Sequence, residues 1–366
     1  MDHTSDINDF LKLMIEMGAS DLHITTASPP KLRIVDRLVP IENCAPLTPD
    51  RTRALCYSIL TDAQRNQFEQ NNELDLSFSI MGLSRFRANI FMQRGAVAGA
   101  FRAVPFDIKS FEELGLPETL ADLVKKPHGL LLITGTAGSG KSTTMASIID
   151  RINSEREAHI VTVEDPIEFL HSHKKSLVNQ REVNSDTASV KHALRNIMRQ
   201  DPDIVFISDM QDPDTVEAAV MLAETGHLTL VTLHTGSAVQ TINRLTDVFP
   251  PHQQEQIRVR LSSVIEGILS QQLIPRSDGN GRVLAYELLL ITPAVRSLIR
   301  EGKFQQICAV IQAGQGRSEM QTMNQSLYEL YSRGLISSDD AIAYSPSPHE
   351  MMQILAKGSA ACNQKA

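Results

Sequence analysis

The run Gly135-Thr136-Ala137-Gly138-Ser139-Gly140-Lys141-Ser142-Thr143 leaves this chain little freedom in what it can become. Its glycines can take backbone conformations closed to other residues, so successive N–H groups can turn inward on one point. An apolar run, Gly129–Thr134, directly precedes it, and a helical pattern over Thr143–Ile152 follows. A strand that turns sharply into a helix sets those N–H groups at a helix N-terminus, where the dipole also favours an anion. The spacing G-x-x-x-x-G-K-[ST] adds a cation, Lys141, with the reach for β- and γ-phosphates, and a hydroxyl, Ser142, placed to ligate Mg²⁺. A flexible glycine turn would need neither, so residues 135–143 are read as a nucleotide-phosphate site.

From Leu116 to about Pro275, short runs rich in Leu, Ile and Val alternate with helical segments. The expected strands are Leu130–Thr134, His159–Glu164, Ile204–Ser208 and Leu228–Leu233. Continuous apolar strands between helices indicate a parallel sheet covered on both faces, an α/β fold. The N-terminal part differs. Ile7, Phe10, Leu11, Met14 and Ile15 recur at helical spacing, with Ser5 as cap and Gly18 as stop. Strand-like runs follow at Leu22–Thr25, Leu32–Val35, Leu38–Ile41, Asp75–Met81, Arg85–Gln93 and Ala96–Val104. Within Arg85–Gln93, Phe86, Ala88, Ile90 and Met92 alternate with polar neighbours, as a sheet with one face on a core requires. From Arg282 onward the pattern reads as mostly helical, ending in a frayed tail over Gly358–Ala366. The predicted division is an α+β domain over 1–105, a linker over 106–116, a nucleotide-binding core over 117–280 and a mostly helical region over 281–366.

A phosphate loop alone names no function, because many unrelated activities share it. Asp203-Ile-Val-Phe-Ile-Ser208-Asp209 narrows the choice: an apolar strand ending in an acid is the Walker-B layout, which puts a carboxylate beside Mg²⁺ and the attacking water. Glu164, Asp165 and Glu168 lie just past another core strand, where open α/β sheets place their sites. A carboxylate there can orient or deprotonate water, although acids also crowd helix starts as solvated caps. His227 and His234 flank Leu228–Leu233. A histidine at a strand end is more often a satisfied hydrogen-bonder, and His234, at the C-terminal edge, is the better placed to sense a γ-phosphate.

Taken together, these segments resemble the secretion-type motor ATPases, in their type IV pilus retraction branch, over nearly the whole chain. The family's Asp box is matched by Val161-Thr-Val-Glu164-Asp165-Pro-Ile-Glu168-Phe, and its downstream partner by Val178-Asn-Gln-Arg181-Glu182-Val. The His box is matched by Ala223-Glu-Thr-Gly-His227 through Thr232-Leu-His234-Thr-Gly-Ser, and Ser20-Asp21-Leu22-His23 and Met320-Gln-Thr-Met-Asn324-Gln are similar too. The resemblance implies a PAS-like N-terminal domain, a RecA-like ATPase core and a homo-hexameric ring that holds ATP or ADP with Mg²⁺ at subunit junctions. It makes Glu168 the water-activating carboxylate, Asp209 the Walker-B acid that shares Mg²⁺ with Ser142, and His227 and His234 phosphate-linked switches. Arg85, Arg87, Arg94 and Arg102 are the arginines that could complete the site. The segment Ala294-Val-Arg296-Ser-Leu-Ile-Arg300-Glu301 resembles a retraction-branch signature. The absence of a tetracysteine zinc loop and of a longer N-terminal region points the same way. The function implied is ATP-driven retraction of type IV pili in twitching motility. The motor would be cytoplasmic and held at the inner membrane through a platform protein.

Where the family usually has Gly-Glu-Met-Arg-Asp, this chain has Ser208-Asp209-Met210-Gln211-Asp212. Aspartate brings its carboxylate back by about 1.5 Å, and misplacement of ~1 Å can cost on the order of a hundredfold in rate. These departures motivate an alternative: a nucleotide-binding, weakly hydrolysing paralogue that regulates or co-assembles with an active motor. A DNA translocase is disfavoured by composition. Thirty-five Lys and Arg against 43 Asp and Glu give a net charge of −8, a poor balance for gripping a phosphate backbone, so no nucleic acid partner is expected. No run approaches the ~20 apolar residues of a membrane span, and Met1–Asp6 lacks the layout of a secretory signal. Cys44, Cys56, Cys308 and Cys362 lie far apart with no C-x-x-C pair, which argues against a structural zinc site or a disulfide framework and fits a reducing cytoplasm.

Overall fold

The computed structural model describes residues 6–34, 37–104, 108–210, 212–279, 281–314 and 319–363, with side chains described as far as Lys357. They divide into two units, Met1–Asp107 with Glu168–Leu170, and Ile108–Ile167 with His171–Ala366. Both mix sheet and helix.

The first unit is built on six strands: β1 (Asp21–Ile24), β2 (Lys31–Ile34), β3 (Arg37–Pro40), β4 (Glu73–Ile80), β5 (Ser84–Gln93) and β6 (Ala96–Val104). They run in the order β3-β2-β1-β6-β5-β4, every pair antiparallel. The expected alternation in β5 is present: Phe86, Ala88 and Ile90 are buried, while Arg85 and Arg87 stand on the other face. The helix Ile7–Glu16 lays Ile7, Phe10, Leu11 and Met14 on that core. Its cap is Asp6 rather than the expected Ser5, which lies outside the described residues. Asp6 accepts the N–H groups of Asn8 and Asp9, and the Asp9 carboxylate returns a bond to the Asp6 N–H. That reciprocal box satisfies donors that a lone serine one residue earlier would leave open. Helices Pro49–Tyr57 and Asp62–Asn71 were not expected, and with only Thr52, Leu55, Cys56 and Phe68 buried they carry little apolar periodicity to read.

The second unit contains β7 (Gly129–Thr134), β8 (His159–Glu164), β9 (Leu177–Glu182), β10 (Ile204–Ile207), β11 (Leu228–Leu233), β12 (Ile265–Pro275) and β13 (Arg282–Leu290). The order is β13-β12-β7-β11-β10-β8-β9, parallel except for the β12–β13 pair. Successive residues feed opposite cores: Leu130, Leu132, Val161 and Val205 on one face, Leu131, Ile133, Ile160 and Phe206 on the other. That is why the central strands read as largely apolar runs.

Three strands lie where none was expected. β9 is a sheet edge with only part of one face covered, so Asn179, Gln180 and Arg181 mask its period. β13 corrects the mostly helical reading from Arg282. A turn with Gly279 and Gly281 at φ +73° and +84° folds it back on β12. Helical segments then follow, and Met323–Ser332, Ser338–Ala343 and Pro348–Asn363 cover Ile274 and Ala285 of that hairpin. The last of these takes in most of the stretch read as frayed, and 364–366 lie outside the described residues. Phe111 and Leu116, placed in the expected linker, are buried in the second unit's core. No described helix is long and apolar enough to cross a membrane.

Candidate active site

β11 lies between β7 and β10, with Leu233 level with Thr134 and Val231 with Ile207. Parallel strands in this register deliver Gly135, His234 and Ser208 to one edge of the sheet, the edge at which α/β folds bind ligands. Gly135 closes the turn. A Cβ there would sit 2.4 Å from Ser139 Oγ and 2.5 Å from the Gln271 carbonyl oxygen, so no larger residue fits. Thr136, Ala137 and Gly138 are exposed, and Ser142 and Thr143 are half-buried at the start of the helix Lys141–Glu155. Gly140, at φ +89°, makes the turn into that helix. The Lys141 ammonium lies inside its own loop, 2.8 Å from the Gly135 carbonyl oxygen and 3.0 Å from that of Thr136.

His234 connects the two motifs. Its Nδ1 is 3.4 Å from Lys141 Nζ, and its Nε2 is 3.9 Å from Asp209 Oδ2. Cation, imidazole and carboxylate therefore form a row across β7, β11 and β10, an arrangement able to feel charge at any member. Asp209 Oδ1 accepts the Met210 N–H at 2.8 Å, which fixes the carboxylate's orientation. Ser208, where the family usually has glycine, has a bonding role of its own. Its Oγ accepts the Asp165 N–H at 3.1 Å, and its carbonyl accepts from the Thr232 hydroxyl. Asp212 caps the helix Pro213–Glu224. Gln211 lies outside the described residues.

Two supporting residues escaped the sequence reading because β12 was not seen as a strand. Gln271 Nε2 donates to the Ser139 carbonyl at 2.8 Å, and Ser270 Oγ lies 2.7 Å from Thr134 Oγ1. Gln271 thus braces the phosphate loop itself, and Ser270 the end of the strand that leads into it. Glu287, on β13, accepts the Ala238 N–H at 2.8 Å and so anchors the chain just after His234. Burial pushes the Glu287 carboxyl up, and the Ala238 bond offsets only part of this. An acid raised in the folded state costs stability progressively as pH climbs from its unfolded pKa to its folded one. Glu287→Gln keeps an acceptor and removes that cost. Its melting temperature at pH 8 should rise, with the gain fading towards pH 4.5. Calorimetry at the two pH values checks this, and an equal gain at both would oppose it.

The remaining acids and cations separate. Glu164 is buried, accepting from Thr162 Oγ1 at 2.6 Å and Gln180 Nε2 at 3.0 Å, so it braces strands. Asp165 is exposed. Glu168 belongs to the first unit, where its half-exposed carboxylate lies 3.9 Å from Arg87 Nη2. Arg85 shares a face of β5 with Arg87, whereas Arg102 is tied to Asp21 at 2.7 Å across the β1–β6 pair. Burial raises the Asp21 carboxyl, but bonds from Ser20 and Arg102 outweigh it and hold the group below the ordinary range. Arg94, at φ +50°, forms the β5–β6 turn with Gly95. His227 sits at the opposite end of β11, its Nδ1 3.0 Å from the Leu222 carbonyl. Seven residues of strand rise put it about 20 Å from His234, so the two histidines do not act on one phosphate within one chain.

Ser142 and Asp209 offer hydroxyl and carboxylate oxygens, the hard donors Mg²⁺ takes. Among the described residues no group of three or more His, Cys, Asp or Glu could hold a metal by itself.

A family model described as Type II/IV secretion system protein matches residues 3–335. The chain is 45% identical over 336 residues to a type IV pilus retraction ATPase, PilT, of Pseudomonas aeruginosa, covering 92% of this chain and 97% of that protein. It is 44% identical over 299 residues to a twitching motility protein of Neisseria gonorrhoeae, covering 82% of this chain and 80% of that one. Among solved structures it is similar to the pilus retraction motor PilT with bound ADP, at a TM-score of 0.90 and 49% identity, covering 95% of this chain and 99% of the other.

Proposed function

We infer the function from a premise now in place: the chain belongs to the type II/IV secretion system protein family. It is an ATPase that drives type IV pilus retraction and so twitching motility. The observation that carries this is the match to a retraction ATPase along almost its full length, with an intact phosphate loop at the sheet edge. The alternative, a weakly hydrolysing regulatory paralogue, rested on Ser208, Asp209 and Gln211. The near full-length likeness to a retraction ATPase and to a twitching motility protein disfavours that alternative.

In our reading the second unit is a RecA-like core and the first a PAS-like domain, supported by the strand orders described. Residues 135–143 cradle the phosphates, and Ser142 and Asp209 hold Mg²⁺, which would neutralise phosphate charge. His234, between Lys141 and Asp209, responds to loss of the γ-phosphate, and Glu168 activates water. Arg87 and Arg85 are the arginines that complete a site. Six chains form a ring in which nucleotide turnover rotates one domain against the next. The ring docks on an inner-membrane platform protein at its cytoplasmic face. The test joins two measurements on the purified chain: ATP hydrolysis, and mass in solution. Turnover by a species of six protomers is expected, together with restored twitching when the chain replaces a deleted motor. A monomer that hydrolyses no ATP would sink the reading.

A further inference from the structure

The segment Val178–Val183 entered the sequence reading only as a family resemblance, and the site described so far gives it no task. Its geometry does. Gln180 and Glu182 are alternate residues of β9 and so share a face. Each accepts a backbone N–H from the loop after β8: Gln180 Oε1 from His171 at 2.9 Å, and Glu182 Oε2 from Ile167 at 3.1 Å. Glu168, Phe169 and Leu170 are the residues between those two anchors, and they are the ones that leave the second unit for the first.

The two acceptors are themselves held. Gln180 Nε2 donates to the buried Glu164 carboxylate, which also takes the Thr162 hydroxyl, so the amide is turned with its oxygen towards His171. Glu182 is buried, its other oxygen accepts from Ser185 Oγ at 3.3 Å, and its own N–H is bonded to Asp186 Oδ2 at 2.8 Å. Alternate residues of a strand stand about 7 Å apart, whereas the four steps from Ile167 to His171 could span ~13 Å. Pinned at both ends, the chain between cannot run fully extended, and the two bonds restrict where the backbone of Glu168 can go.

We propose that Gln180 and Glu182 are positioning residues for Glu168, clamping both ends of the loop that presents its carboxylate. This rests on the reading of Glu168 as the water-activating group. A carboxylate that drifts by ~1 Å loses on the order of a hundredfold in rate while nucleotide contacts stay intact.

The test uses the full chain with radiolabelled ATP and a fluorescent ADP analogue. Gln180→Ala should lower kcat by ~10–100-fold, with ADP affinity within about threefold of the parent. Glu182→Ala should do the same, and Glu182→Gln, which keeps the acceptor, should restore most of the rate. In the cycle, Glu168→Ala/Gln180→Ala should be no more than about twofold slower than Glu168→Ala alone, because a clamp has nothing left to position. Wild-type kcat in Gln180→Ala beside an inactive Glu168→Ala would overturn the clamp and spare the reading of Glu168. A double variant slower by the full single-site factor would do likewise. Wild-type turnover in Glu168→Ala would overturn both.

Discussion

Lys141→Ala is expected to weaken ADP and ATP binding by about 10–100-fold and to lower ATP turnover at least a thousandfold. The lysine ammonium is nearly inaccessible, enclosed by the carbonyls of Gly135 and Thr136 with His234 Nδ1 beside it. No other lysine is in the phosphate loop, so alanine removes the loop's own cation. A hydrogen bond to a charged group contributes ~1.5–3 kcal/mol, which gives the affinity range. The rate falls further because the developing charge on the transferred phosphate is met by a preorganised cation, an interaction stronger in the transition state than in the bound substrate. Alanine is the best helix former and stands here at the first helical residue, so folding should survive. Calorimetric titration with ADP and steady-state hydrolysis measure the two effects. Unchanged affinity would remove Lys141 from the site.

What each segment faces decides how legible it is in the sequence. β7, β8, β10 and β11 were legible because burial on both faces leaves mostly apolar residues. β9 was not, because its side chains are spent on holding a loop: Gln180 and Glu182 obey the needs of backbone N–H groups rather than of a core. The same logic hid Gln271 and Glu287, polar residues on strands whose partners lie more than forty residues away in sequence. The phosphate loop could be read residue by residue, since its spacing is set by chemistry within a few positions. The arginines could not be ranked from spacing alone. Only cross-strand pairing shows Arg102 held by Asp21, and only backbone geometry shows Arg94 in a turn. Family departures were the hardest to weigh, because Ser208 looks like damage until its hydroxyl is seen accepting from Asp165.

Glu168→Gln should separate binding from chemistry. Its affinity for ADP should stay within about threefold of the parent, since the phosphate loop is untouched, while kcat falls by ~10²–10⁴-fold, the range for a positioned general base. The side chain is 47% exposed, which leaves its carboxylate open to water, and the nearby Arg87 lies at 3.9 Å, too far for a strong bond to claim it. Glutamine preserves the shape and the loop anchors, which are backbone bonds from Ile167 and His171. A loss of rate therefore reports the proton-accepting oxygen and not a collapsed loop. The comparison with Lys141→Ala is the informative one: one variant should fail to hold nucleotide, the other should hold it and not cleave it. If both lost affinity equally, Glu168 would be acting on the fold of the site. If Glu168→Gln turned over ATP at the parent rate, the water-activating group would have to be sought among the other acids, with Asp209, already facing His234, the next to test.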